Sequence, residues 1–68
     1  MYIPIIGDKV EATNYLIVER VGEYDDYSIN KGTILTVKEI HEYYIVIMME
    51  HSDYLIYQAY YKYLKRIK

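Results

Sequence analysis

The sequence predicts an all-β protein, a small five-stranded barrel that forms one domain over residues 1–68. Short segments of alternating apolar and polar residues recur along the chain, separated by turns that contain Gly, Asp or Asn. The composition agrees, because 53% of the residues are hydrophobic and Ile, Val and Tyr, which favour strands, are frequent. With 68 residues and no cysteine, the chain has room for one domain, and packing must stabilise it.

The first four strands are predicted in chain order. The first follows a turn at residues 7–9 and extends through the apolar stretch that ends at residue 18. Residues 19–30 are mostly polar and contain a glycine, so we expect a long loop there. The second, third and fourth strands are predicted at residues 33–40, 43–50 and 54–57, joined by short turns.

The C-terminal residues are compatible with two structures. Apolar residues at positions 56, 60, 63, 64 and 67 recur at helical spacing and predict a helix. The alternative is a 3₁₀ turn at residues 58–61 followed by a short fifth strand near residues 64–67. We favour this alternative because the last strand completes a barrel.

The third strand is apolar on both faces. Alternate residues of a strand point to opposite faces, and every residue from 43 to 49 is apolar. Such a strand is normally covered on both sides, whereas a barrel of this size covers only one. Either the C-terminal segment or another chain must cover the second face, so a homodimer through residues 43–49 is one hypothesis.

Residues 7–67 resemble the SH3-like small-barrel superfamily. The Gly-Asp-Lys-Val of residues 7–10 is similar to the opening strand of its bacterial and phage members. Residues 25–37 are similar to the acidic loop, diverging turn and second strand of SH3 domains, with Gly32 in the tight turn. The resemblance implies core positions for Ile29, Leu35 and Val37. It also places Tyr43 and Tyr44 at the paired aromatics of the third strand, and residues 57–60 at the 3₁₀ turn that contributes to binding.

The chain departs from the SH3 pattern in the peptide groove. That groove resembles a row of aromatic residues completed by a Trp and a Pro, whereas this chain has no Trp, and its single proline, Pro4, lies elsewhere. The Tyr-containing motif of the first SH3 strand is also missing. Because polyproline recognition needs preformed aromatic slots, the resemblance predicts a fold and leaves the ligand open.

Residue patterns typical of catalysis or of cofactor binding are missing, so we expect no enzymatic activity, no metal and no cofactor. His41 and His51 lie in turns at opposite ends of the third strand, which is too far apart for a shared metal site. Asp25 and Asp26 are interpreted as solvated loop residues. The glycines are too widely spaced for a nucleotide-binding loop.

Binding to a host or cellular protein is the function that we expect. Tyrosine is enriched at interfaces because its ring buries a large area at small entropic cost, and acidic residues crowd the first half of the chain. The alternative is that most tyrosines pack at the edge of a core that lacks Phe and Trp. Small size and a composition typical of AT-rich coding sequences favour a phage-encoded protein that modulates a bacterial host protein in the cytoplasm. The predicted partner-binding residues are Tyr24, Asp25, Asp26, Tyr27, Tyr44, Tyr57 and Tyr60.

Two further hypotheses concern nucleic acid and self-association. Basic and aromatic residues alternate at the C-terminus, a pattern typical of single-strand binding, although a net charge of −2 makes a weak electrostatic footprint. A self-associating structural protein would use the two-faced third strand. We expect no membrane segment, because the longest uncharged apolar run is far below the roughly 20 residues of a membrane span. The residues of the nucleic-acid hypothesis are Tyr61, Lys62, Lys65, Arg66 and Lys68.

Overall fold

The structure, a computed structural model, describes residues 2–67 and confirms an all-β protein. Seven strands are accompanied by one 3₁₀ helix, Gln58–Tyr63. The strands are β1 Lys9–Ala12, β2 Leu16–Arg20, β3 Asp26–Ile29, β4 Ile34–Ile40, β5 Tyr44–Met49, β6 Ser52–Tyr57 and β7 Leu64–Arg66.

All the strands belong to one antiparallel sheet with the order β3-β2-β6-β5-β4-β1-β7. The sheet curls into a half-barrel whose inner face encloses the core. The terminal strands of this order, β3 and β7, each have one neighbour and form the two edges of the sheet. Between Val37 and Glu39 the register of β4 against β5 shifts, a bulge of the kind that increases the local twist.

The prediction of five strands is wrong, because the structure has seven. The additional pair lies where the sequence predicts an extended stretch followed by a long loop. There β2 and β3 form a hairpin in which Leu16 pairs with Ile29 and Val18 with Tyr27. Leu16, Val18 and Ile29 are buried in the core, so burial holds both arms of the hairpin in place. The alternation in β3 covers only four residues and follows a polar stretch with a glycine, so the sequence indicates a loop there.

The core consists of apolar side chains from every strand and from the 3₁₀ helix. Its largest fully buried members include Leu35 of β4, Ile45 and Ile47 of β5, and Ile56 of β6. Burial of each such side chain contributes about 1.5–3 kcal/mol. No polar or charged residue is fully buried within residues 2–67, so nothing in that range opposes the apolar packing.

The C-terminal segment forms a 3₁₀ helix followed by a strand, which confirms the favoured of the two predicted structures. The helix is two residues longer than predicted, ending at Tyr63 instead of residue 61. It ends because Leu64 is extended, with φ −115° and ψ 136°, while its N–H still donates to the Tyr61 carbonyl. Tyr61 is buried and anchors the helix to the core.

Val46 lies on the outer face of β5, the strand that is apolar on both faces. Only 5% of Val46 is exposed, although it lies on the outer face of β5, opposite Leu55 of β6. The next row along this face is the pair Tyr44 and Tyr57, whose ring centroids are 6.3 Å apart. The C-terminal strand does not cover Val46, because it pairs with β1 at the far edge of the sheet.

The segment before β1 is tied to β7 by a network of side chains. The Tyr2 hydroxyl donates to the Asp8 carboxylate at 2.7 Å, and Arg66 Nε donates to the same oxygen at 2.9 Å. The Arg66 guanidinium also lies 5.2 Å from the centre of the Tyr2 ring. Burial, helped by the bond to Asp8, raises the pKa of Tyr2 to about 12, whereas the bonds from Tyr2 and Arg66 lower the pKa of Asp8.

Candidate protein-binding surface

Three aromatic side chains form a continuous row on the outer face of the sheet. His41, in the turn before β5, stacks on Tyr44 with ring centroids 4.5 Å apart and an interplanar angle of 17°. Tyr44 in turn packs edge-on against Tyr57 across the β5–β6 pair. The geometry is preferred for aromatic pairs, so the row is preorganised.

Two carboxylates extend this row toward the β2–β3 hairpin. The Tyr57 hydroxyl donates to Glu19 Oε2 at 3.0 Å, and this bond raises the pKa of Tyr57. Glu19 lies directly opposite Asp26 across the β2–β3 pair, so both point to the same face. We call the set Asp26, Glu19, Tyr57, Tyr44 and His41 the outer strip.

The strand register makes Glu19 and Asp26 close cross-strand neighbours. The Val21 N–H donates to the Asp53 carbonyl at 2.9 Å, which makes Glu19, two residues earlier, exchange its main-chain bonds with β6 as well. Glu19 and Asp26 are then a non-hydrogen-bonded pair, the type in which side chains lie closest. Within residues 2–67 neither carboxylate forms an ion pair, so this cross-strand pair carries two like charges with no cation beside them.

The structure separates the predicted partner-binding residues into two groups. Tyr44, Tyr57 and Asp26 belong to the outer strip. Tyr27 lies on the inner face, opposite the core residue Val18, and its ring centroid is 4.9 Å from that of Tyr54.

The remaining predicted residues lie beside these groups. Tyr24, 106% exposed, and Asp25 belong to the connection between β2 and β3. Tyr60 is 43% exposed on the 3₁₀ helix, three residues after Tyr57 in the chain.

Sequence reasoning did not assign Glu19 or His41 to this surface. The sequence places His41 in a turn and Glu19 at the start of a long loop. The signal for His41 is its place before a tight turn that brings it over Tyr44, with its N–H donating to the Tyr44 carbonyl at 2.9 Å. No sequence pattern places Glu19 at this surface, because its position depends on the pairing of β2 with β6.

The basic residues of the nucleic-acid hypothesis are dispersed and partly engaged. Tyr61 is buried, so its ring is not free to stack on a base. Arg66 binds Asp8, and the Lys62 ammonium lies 5.3 Å from the Tyr63 ring centre. Lys65 lies opposite Glu11 in the β1–β7 pair, and Lys68 lies outside the described residues.

A shallow depression of about 420 Å³ lies at the other end of β5 and β6, around the turn that contains Glu50 and His51. The lysine and the arginine that line it both bind other side chains of the protein. Lys38 forms an ion pair with Asp53 at 2.7 Å, and Arg20 donates to the Ser52 hydroxyl at 2.6 Å. His41 and His51 thus lie at opposite ends of β5. No group of three or more potential metal ligands occurs in the part of the chain that the structure describes.

Comparison with protein-family profiles, curated proteins and solved structures gives no match for this chain. Among residues 2–67, no helix is long and apolar enough to cross a membrane.

Proposed function

We propose that this chain is a non-enzymatic protein-binding module whose outer strip holds a basic segment of a partner protein. The observation that carries the proposal is the continuity of the strip, in which two carboxylates without an ion-pair partner border a row of packed aromatic rings. A Lys or Arg from a partner would relieve the repulsion between Glu19 and Asp26 and pack its stem on the Tyr57 ring.

The arrangement has the features of an interface rather than of core packing. Tyr57 is 41% exposed, and its neighbour Tyr60 is 43% exposed, so their rings offer area that a partner can bury. Because the rings are already held in place by contacts with one another and with Glu19, little entropy is lost on binding.

We also propose that the fold is SH3-like. β1, β4, β5, β6 and β7 correspond to the five strands of such a barrel, and the β2–β3 hairpin lies between β1 and β4, where the sequence predicts the end of the first strand and a long loop. Tyr44 at the start of β5 and Tyr57 just before the 3₁₀ helix match the positions at which the resemblance places binding residues. An experimental structure with a different strand connectivity would contradict this proposal.

Capture from a nuclease-treated bacterial lysate tests the function. Immobilised protein is compared with the double variant Tyr44→Ala/Tyr57→Ala and with Tyr15→Ala, an exposed tyrosine outside the strip. We expect one dominant protein to bind the unchanged chain and Tyr15→Ala equally, and to be lost from the double variant. A low-GC bacterium is the lysate of choice, because we propose a phage-encoded protein with a host target.

A second variant distinguishes a loss of binding from a loss of folding. The substitutions Glu19→Gln and Asp26→Asn keep the shape of the strip and remove its charge, so circular dichroism should be unchanged while capture is lost. If capture is equal for all variants, the outer strip is not the binding surface. Recovery that occurs only in a parallel lysate without nuclease would move the function to the basic C-terminus.

A further inference from the structure

The outer edge of β3 is a free strand edge with a defined set of main-chain groups. Val18 exchanges its main-chain hydrogen bonds with Tyr27, because the bonds of Glu19 point the other way, toward β6. Successive residues of a strand point their N–H and C=O groups to opposite sides. The main-chain groups of Asp26 and Ser28 therefore point away from the sheet, and within residues 2–67 no backbone hydrogen bond satisfies them.

We infer that an extended, basic segment of the partner protein adds to the β3 edge as an eighth, antiparallel strand, with Lys or Arg side chains on the outer face and apolar side chains on the inner face. This inference rests on the proposed protein-binding function and specifies the partner. Main-chain bonds to Asp26 and Ser28 would give affinity, and the alternating side chains would give selectivity.

Charge and exposure identify the side chains of the added strand. In a hydrogen-bonded antiparallel pair the two residues share a face, so partner residues bonded to Asp26 and Ser28 point to the outer face. There they meet the carboxylates of Asp26 and Glu19, which favour Lys or Arg. The intervening partner residues point to the inner face, beside the partly exposed ring of Tyr27, which favours an apolar side chain.

The same charge argues against a second copy of this chain as the occupant. If two β3 edges paired with Asp26 opposite Asp26, their carboxylates would repel each other, and β3 has no basic residue to offset that repulsion. The other sheet edge, β7, is three residues long, and the N–H of Leu64 already donates to Tyr61. The charge of the β3 edge therefore suits a basic strand better than a second copy of this chain.

A synthetic peptide tests the strand addition directly. The probe is a fluorescently labelled peptide that alternates lysine and valine over seven residues, and its binding is followed by anisotropy in low salt. Methyl groups are placed on the amide nitrogens of the lysines in one derivative and of the valines in another. Because the lysine amides would form the ladder with β3, we expect the first derivative to bind at least about tenfold more weakly, and the second to bind like the parent peptide.

Variants of the protein provide the matched control. Ser28→Pro removes the N–H that faces the free edge, a position at which proline is tolerated, whereas Ser28→Ala keeps it. We expect peptide binding to be lost in the first variant and retained in the second, with both melting cooperatively. Equal binding by both variants, equal effects of the two methylated peptides, or no binding at all would overturn the inference.

The test also distinguishes this inference from the proposed function. Peptide binding that is lost in Tyr44→Ala/Tyr57→Ala but kept in Ser28→Pro would leave the outer strip as a binding surface without an added strand. If sedimentation shows a dimer that Ser28→Pro converts to a monomer, the occupant of the edge is a second copy, which contradicts the inference.

Discussion

Asp26→Lys should stabilise the fold while it abolishes binding to a basic partner. Glu19 and Asp26 form a like-charge pair of the close type, and such cross-strand pairs are worth roughly 0.2–1 kcal/mol. Lysine at position 26 replaces repulsion by attraction. Since the site is exposed to solvent, we expect a gain of about 1 kcal/mol at most in the free energy of unfolding. For a domain of this size, that gain raises the melting temperature by about 4–8 °C.

Thermal melts followed by far-UV circular dichroism, at low and high salt, measure this effect. Asp25→Lys is the matched control, because it changes the net charge equally at an exposed residue that precedes β3. We expect the gain only in Asp26→Lys, and we expect salt to reduce it by screening. A melting temperature that is unchanged or lowered at low salt, or an equal gain in Asp25→Lys, would refute the pairing of the two carboxylates.

The other predictions concern the core, a turn and the response to pH. Ile47→Ala should cost about 2–5 kcal/mol in urea denaturation, since Ile47 is fully buried, whereas Met48→Lys on the outer face should leave the protein folded. Gly32→Ala should cost about 1–2 kcal/mol, because Gly32 has a φ of 91° that other residues adopt with strain. Because the pKa of Tyr2 is raised, neutral Tyr2 contributes to the free energy of unfolding below pH 10, and this contribution is lost as the pH rises toward about 12. In Tyr2→Phe, the free energy of unfolding should therefore fall less steeply at alkaline pH. The lowered pKa of Asp8 has the opposite consequence. Ionised Asp8 contributes to the free energy of unfolding at neutral pH, this contribution is lost in acid, and Asp8→Asn should remove that acid dependence.

The sequence predicts β4 and β5 to within one residue, because their alternate residues are strongly apolar and fill the core. It also predicts the 3₁₀ helix and the last strand. The sequence does not predict the β2–β3 hairpin, because β3 alternates over only four residues and follows a polar, glycine-containing stretch that is typical of a loop. A loop and a polar hairpin of this kind have the same local pattern, and only the pairing of β2 with β6 distinguishes them.

The candidate site shows the same limit. Tyrosines at the start of β5 and at the end of β6 were predicted to bind a partner, and the structure brings Tyr44 and Tyr57 together. The sequence also predicts Tyr27 at this surface, yet Tyr27 lies on the inner face of the sheet, because a single step along a strand reverses the face. The contact of Tyr57 with Glu19 joins residues that are 38 positions apart, which no local pattern reveals. The homodimer through residues 43–49 stays a prediction, with Met48 as the exposed residue to test.

Amide chemical shifts of isotope-labelled protein, recorded while the lysine–valine peptide is added, test the central claim most directly. The account predicts that the largest changes map to the outer strip and the β3 edge, at Glu19, Asp26, Ser28, Tyr44 and Tyr57, and that they weaken as salt is added. Changes confined to the turn between β5 and β6 or to the basic residues 62–66, with the outer strip unaffected, would contradict it.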